Sequence, residues 1–274
     1  MQIDGHRITC LKSPADQSDQ ADPAVVFVHG NSSSARTWLP VMRGDFGRRF
    51  RCVALDLPGH GQSEPAKDHA DYSLPGYAAV LTGFVQELGV ANAVIVGWSL
   101  GGQIAMEAAP ELPDADGFVI FGAPPVASPA QMAEAFRPHP AMAALFSAQV
   151  SESEARLAAE SFTAPGSPLD LSEFVSDILA TDGAARTGLG ASAGAGRFAD
   201  EIAIVSTLRQ PLAILQGTDE QLVSHDYLRK LTIPTLWRKE IQLIPGVGHA
   251  PHQEAPEQFA ALLTQFIGDL GRKQ

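Results

Sequence analysis

Gly97-Trp98-Ser99-Leu100-Gly101-Gly102 places a hydroxyl between glycines at the spacing G-x-S-x-G. An apolar run at 93–96 precedes it, and a helix-forming stretch at 103–108 follows. Strand, tight turn and helix are the setting that raises a serine Oγ on a strained turn and makes it a nucleophile. Glycines at 97 and 101 let neighbouring backbone close around it. The helix behind adds the positive end of its dipole. The pattern marks Ser99 as the candidate nucleophile of an acyl transfer.

A serine hydroxyl attacks well only when a base takes its proton. In this arrangement the base comes last along the chain, after the acid. His249, in Gly248-His249-Ala250-Pro251, follows the last apolar run at 241–244. It therefore stands on a loop at a strand's C-terminal end, where open α/β sheets place their sites. His252 falls in the turn into the final helix and is expected on the surface. The acid must hold the second imidazole nitrogen. After the run 212–215, Gly217-Thr218-Asp219-Glu220 offers two adjacent carboxylates, and spacing alone admits either. An oxyanion needs two N–H donors. One is expected from Leu100, and the other from the backbone of Asn31, in the loop His29 to Ser34 after the run 25–28. His29 reads as hydrogen-bonding support. Asp56 and His60, in Asp56-Leu57-Pro58-Gly59-His60-Gly61, read as parts of a rigid turn.

These residues need a scaffold that brings strand ends together. Apolar runs at 25–28, 52–55, 93–96, 118–121, 212–215 and 241–244 lack in/out alternation. That is the mark of parallel strands covered on both faces. Between them, 76–88 and 257–270 repeat apolar residues at helical spacing. The order implies an α/β fold with a mostly parallel central sheet and helices on both faces. From 124 to 200 no strand pattern occurs. Helical stretches are expected near 131–136 and 151–162, and 181–196 is thick with Gly and Ala. The expected division is a core of 1–123 and 201–274 with a helical lid at 124–200.

With 274 residues, 45% of them hydrophobic, the chain can bury a large core. Its net charge of −12 disfavours nucleic acid and anionic membrane as partners, since both need Lys and Arg to neutralise phosphates. The two cysteines make no disulfide framework. The N-terminus lacks a signal-peptide layout, and no apolar run approaches a membrane span. A cytoplasmic monomer or weak homo-oligomer acting on a small molecule is expected. His249 and His252 are three apart, but a Pro between them and the commitment of one to Ser99 argue against a metal. No phosphate-cradling or dinucleotide fingerprint occurs, so no cofactor is expected.

Taken together, His29-Gly30-Asn31, 56–63, 97–102, 217–223 and Gly248-His249-Ala250-Pro251 with Glu254 and Pro256 resemble the α/β-hydrolase superfamily over nearly the whole chain. Within it, 29–34, 97–102, Gly122-Ala123-Pro124-Pro125-Val126 and Thr181-Asp182-Gly183 resemble the metal-independent N-acyl-homoserine lactone hydrolases, quorum-quenching enzymes that open a lactone ring. The resemblance implies Glu220 as the acid, with Asp219 the alternative. The 124–200 segment contains no Tyr, so a lid tyrosine cannot hold the substrate; the chain's tyrosines are Tyr72, Tyr77 and Tyr227. Trp98, Trp38, Phe136, Met142, Leu145 and Phe146 are candidate walls for an acyl chain. Three rival readings share the scaffold. One is a general carboxylesterase. Another is a C–C bond hydrolase, which would need lid cations such as Arg137, Arg156 or Arg186. The third is a ligand sensor with little turnover.

Overall fold

A computed structural model describes residues 1–3, 5–14 and 22–271. The chain opens with a small antiparallel pair, β1 (Gln2–Ile3) and β2 (His6–Arg7). The central sheet then uses β3 (Cys10–Lys12), β4 (Val25–Val28), β5 (Cys52–Leu55), β6 (Val94–Trp98), β7 (Gly117–Phe121), β8 (Leu212–Gly217) and β9 (Gln242–Ile244). Their order across the sheet is β3-β5-β4-β6-β7-β8-β9. Only β3 runs antiparallel, pairing with β5 at the edge. The other neighbours are parallel. β4, β5, β6, β7 and β8 are buried at every residue, which accounts for their unbroken apolar runs. The pairs β1, β2 and the edge strand β3 carry no such run and do not stand out in the sequence.

Alternate side chains of the strands feed two cores. Val26, Val28, Ile95 and Ile120 pack with α3 (Leu74–Leu88) and α4 (Leu100–Ala108). Val25, Phe27, Val96 and Phe121 pack with α1 (Leu39–Arg43), α2 (Asp45–Arg49) and α12 (Pro256–Leu270). The limits of α3 follow from local chemistry. The Ser73 hydroxyl accepts from the Gly76 amide, Pro75 sits in the first turn, and Gly89 ends the helix at φ 64°.

Between β7 and β8 lie α5 (Pro129–Ala135), a 3-10 helix (Pro140–Phe146), α6 (Glu152–Ser161), α7 (Ser172–Ala180), α8 (Gly183–Gly194) and α9 (Glu201–Thr207). A capping box of Ser151 and Glu154 starts α6. The Gly/Ala-rich stretch is helical as α8, and α9 packs on α4. Entry and exit of the inserted segment are clasped together. The Val126 amide donates to Glu201 Oε2 at 2.9 Å, and the Glu201 amide donates to the Val126 carbonyl at 3.1 Å. After β8 come α10 (His225–Leu228) and, beyond β9, α11 (Pro251–Glu254) leading into α12. Cys10 and Cys52 form no disulfide with each other.

Candidate active site

Ser99 lies between β6 and α4 at φ 52°, ψ −118°, a conformation that costs a non-glycine residue about 1–3 kcal/mol. Backbone hydrogen bonds hold it there. Its amide donates to the Phe121 carbonyl at 2.8 Å, and its carbonyl accepts from Gly102 at 2.9 Å. The flanking glycines are compulsory. A Cβ on Gly97 would sit 2.3 Å from the Gly101 oxygen, and one on Gly101 would sit 2.2 Å from the Val28 oxygen.

The His249 ring is buried, and its Nδ1 lies 2.8 Å from Glu220 Oε2. A carboxylate at Nδ1 fixes the proton there and leaves Nε2 with its lone pair. Nε2 is buried with no hydrogen-bond partner, and His249 and Ser99 line one cavity. Glu220 is oriented in turn, its Oε1 accepting from the amides of Leu222 (2.7 Å) and Val223 (3.3 Å). Asp219, next to it, is exposed and points elsewhere. The histidine loop is tied down on both sides. The Trp98 indole donates to the His249 carbonyl at 2.8 Å. Glu254 bridges the Gly248 amide (2.6 Å) and the Ala164 amide (2.9 Å). Gly122 at φ 60° gives the ring room, since a Cβ there would lie 2.5 Å from His249 Cε1.

Asn31 and Leu100 line the same cavity. Leu100 is the first residue of α4, so its amide has no acceptor within the helix. The Asn31 side chain has a task of its own, donating from Nδ2 to the Leu145 carbonyl at 2.7 Å. Two carboxylates brace the rest of this loop. Asp56 Oδ1 accepts from the Ala35 amide at 2.7 Å. Asp177, from α7, accepts from the Ser34 hydroxyl at 2.6 Å and pairs with Arg36. Burial pushes both carboxyls up in pKa. His29 accepts from the Leu57 amide at Nε2 and donates from Nδ1 to the Gly30 carbonyl. Burial brings its pKa down to about 4, and that of His60 to about 3. Both are neutral hydrogen-bonding residues inside the turn.

The cavity holds about 440 Å³ and is walled mainly by apolar side chains, among them Trp98, Phe136, Met142, Leu145 and Phe146. Trp38 is not among them. It is fully buried in the core that packs on α1, α2 and α12, stacked on Phe27 at 4.5 Å, because the turn after Ser34 carries it behind the strand ends. His252 is likewise not on the surface. It is fully buried against Trp38, Trp98 and Phe121, with Nε2 2.7 Å from the Thr37 hydroxyl. The first turn of α11 aims it inward, and burial holds its pKa well below 6.5. Sequence reasoning missed Phe162, Leu189 and Leu222 as lining residues. Leu222 lies two residues after Glu220 and is within reach of sequence reasoning; Leu189, in a Gly/Ala-rich stretch, carries no signal.

Of the three arginines between β7 and β8 that a C–C bond hydrolase would need, Arg186 is buried and donates to the carbonyls of Ser147, Ala148, Ile178 and Thr181. Arg156 pairs with Glu160. Arg137 lines the cavity and donates to the Glu220 carbonyl at 3.1 Å. Among the described residues no group of three or more His, Cys, Asp or Glu could hold a metal ion. No helix of the described residues is long and apolar enough to cross a membrane.

Residues 25–262 match the model of the Alpha/beta hydrolase family. The chain belongs to the α/β-hydrolases. This hydrolase is similar to the N-acyl homoserine lactonase AidH, with 34% identity, 100% of this chain and 97% of that one covered, and a TM-score of 0.92. The AidH structures hold N-hexanoyl homoserine, N-butanoyl homoserine and, in a variant with one serine replaced by glycine, N-hexanoyl homoserine lactone. The hydrolase is also 28% identical to a 2-(acetamidomethylene)succinate hydrolase of Mesorhizobium japonicum, over 89% of this chain and 88% of that one. Over 91 residues it is 40% identical to an uncharacterised protein of Mycobacterium tuberculosis. That match covers 33% of this chain, which spans about a quarter (26%) of the relative's length.

Proposed function

We propose that this hydrolase opens the lactone ring of N-acyl homoserine lactones through an acyl-enzyme on Ser99, with no metal. The observation that supports the reading is the Glu220–His249 pair, whose Nε2 has no hydrogen-bond partner, in a residue that lines the same apolar cavity as Ser99. The full-length similarity to AidH names the ester class. Ser99 Oγ attacks the lactone carbonyl while His249 Nε2 takes its proton. The amides of Leu100 and Asn31 hold the oxyanion. Collapse of the tetrahedral intermediate breaks the ring C–O bond, and His249 hands its proton to the leaving alkoxide. That alkoxide stays tethered to the acyl group, so it can close the ring again. Water must arrive faster, and His249 deprotonates it to release the hydroxy acid and restore Ser99. Glu220 stabilises the imidazolium throughout. The segment 124–200 acts as the lid over the acyl chain.

A second reading, a substrate bearing a carboxylate, is favoured by Arg137 at the cavity and by the Mesorhizobium relative. One experiment weighs both: ring opening of N-hexanoyl homoserine lactone and hydrolysis of 2-(acetamidomethylene)succinate, each with chelator present, by the wild type and Ser99→Ala. The proposal expects chelator-resistant lactone opening that falls by at least about 10⁴-fold in Ser99→Ala. Lactone opening that survives Ser99→Ala would sink the mechanism. Turnover of the succinate amide alone would move the assignment to the second reading.

A further inference from the structure

The 3-10 helix Pro140–Phe146 faces two ways. Its side chains Met142, Leu145 and Phe146 wall the cavity. Its Leu145 carbonyl accepts the buried hydrogen bond from Asn31 Nδ2 at 2.7 Å. The wall that would meet an acyl chain is therefore joined by one hydrogen bond to the residue whose amide is proposed to hold the oxyanion. The far end of the wall is unfinished in the free protein, since Phe146 is 39% exposed. A 3-10 helix has poorer hydrogen-bond geometry than an α-helix, so this segment holds its shape less firmly alone. Its two ends are secured, by the Ala141 amide on His139 Nδ1 and by Arg186 on the Ser147 carbonyl. Between these ends Ala141, Ala144 and Leu145 are buried, while Met142 is half-buried and Phe146 exposed, so the cavity side of the segment gains packing from whatever fills the cavity.

We infer that the acyl-chain wall and the oxyanion loop form one positioning unit, so that acyl length is expressed in kcat and not only in KM. The inference rests on the lactonase reading above. An acyl chain that covers Met142, Leu145 and Phe146 steadies the 3-10 helix. The Leu145 carbonyl then fixes Asn31, and the Asn31 amide meets the developing oxyanion at hydrogen-bonding distance. Binding energy from a remote part of the substrate is thereby spent on placing a donor in the transition state. The geometry is demanding, because a donor must lie within about 2.7–3.1 Å of the oxyanion and a misplacement of about 1 Å costs about 10²-fold. A short chain leaves the wall uncovered and gains none of this. The Asn31 side chain is in this sense a positioning group, distinct from the Asn31 amide.

The test is a series of N-acyl homoserine lactones from butanoyl to decanoyl, with kcat and KM measured separately. The proteins are the wild type, Asn31→Ala, which keeps the amide and removes the tether, and Phe146→Ala, a change at an exposed wall position. Thermal unfolding checks that each variant is folded. In the wild type kcat is expected to climb by about five-fold or more along the series. In Asn31→Ala the long-chain kcat drops to the butanoyl level while KM still falls with length. Phe146→Ala flattens the kcat series in the same direction. A wild-type kcat that does not change with length overturns the inference, as does an equal loss at every length in Asn31→Ala. If lactones are not opened but simple esters are cleaved through Ser99, the lactonase reading fails. The p-nitrophenyl esters from butanoate to decanoate then decide the coupling by the same criteria.

Discussion

The Ser99 elbow and the C-terminal end of α8 are both built from small residues, and they use them for opposite ends. At the elbow a methyl group on Gly97 or Gly101 would collide with backbone oxygens at 2.3 and 2.2 Å. Those atoms cannot move without dismantling the strand β4 and the turn itself. At the start of α8 a Cβ on Gly183 would likewise sit 2.1 Å from the Ala148 oxygen, but towards its C-terminal end a Cβ on Gly190 would come nearest to the Phe146 side chain, at 3.2 Å, and Gly194 faces open space. Small residues at the elbow enforce one backbone path. At the C-terminal end of α8 they leave a smooth surface against which Phe146 can lie. The Ser99 turn is thus fixed by backbone against backbone, whereas this side of the apolar cavity is fixed by side chains that can adjust. The polar ties follow the same division. The core loops are pinned by Asp56, His29 and Glu220, each bonded to a nearby turn. The inserted segment is pinned to the core at long range by Asp177 to Ser34, and Arg186 ties it internally through four of its own carbonyls.

The sharpest way to break this contrast is at the two adjacent carboxylates, since one belongs to the fixed chemistry and the other to solvent. Glu220→Ala is expected to lower kcat/KM by about 10³–10⁴-fold, the loss that follows when the residue orienting a catalytic imidazole is removed. Asp219→Ala should stay within about two-fold, because surface changes of this kind rarely exceed about 0.5 kcal/mol. Steady-state kinetics on any substrate cleaved through Ser99 reads both, and comparable losses in the two variants would refute the assignment of the acid. Next in size is Gly101→Ala. The collision with the Val28 oxygen leaves no rotamer to escape through, so the elbow must distort. Overpacking on this scale costs about 1–3 kcal/mol or more. A melting temperature and activity equal to those of the wild type would show that the elbow has slack it is not thought to have.

The same contrast explains what could be read from the sequence. Strands β4 and β5 coincide with their apolar runs, because full burial on both faces demands unbroken Val, Phe, Ala and Leu. Ser99, His249 and the loops of Glu220 and Asn31 were visible because local backbone demands put glycines and turn residues beside them. The choice of Glu220 over Asp219 was not settled by spacing, since both lie on one loop; it is the register of the turn after β8 that sends one inward. Trp38 and His252 were misplaced for a related reason. An aromatic near a site loop can face the cavity or the core behind it, and only the turn geometry decides. The tether from Asn31 to Leu145 spans 114 residues and ends on a backbone carbonyl. No side-chain pattern can announce such a partner.

Acid should expose the difference between the two regions more gently. His29, His60 and His252 all sit in the core region, and burial lowers the pKa of each, to about 4 for His29 and about 3 for His60. Below pH 6.5 the unfolded chain binds protons at these rings that the folded chain refuses. Folding stability must then fall as pH falls from about 6.5 towards the folded values. His29 alone accounts for roughly 3 kcal/mol once pH is below about 4. The buried carboxyls Asp56, Asp177 and Glu201, pushed up by burial, act with the opposite sign, since the folded chain holds their protons longer as pH rises. Thermal unfolding at pH 7.5 and pH 5.0 covers the range in which these raised carboxyls, Glu201 above all, oppose the rings. With Glu201→Gln removing that opposition, a lower melting temperature at pH 5.0 is expected, and an equal or higher one would show that the rings do not govern stability in this range.

The smallest expected effect is the counterpart of Gly101→Ala in the inserted segment. Gly194 is the last helical residue of α8, is exposed, and has nothing within 4 Å of where a Cβ would stand. Alanine there removes freedom from the unfolded chain and costs no contact in the folded one. Gly194→Ala should stabilise the protein by roughly 0.4–1 kcal/mol, with kcat and KM unchanged. Opposite signs for the same chemical change at 101 and 194 would establish that small residues constrain the elbow and merely smooth the C-terminal end of α8. Destabilisation by Gly194→Ala would mean that this end, like Gly183 at the start of the helix, depends on glycine, and the division would fall.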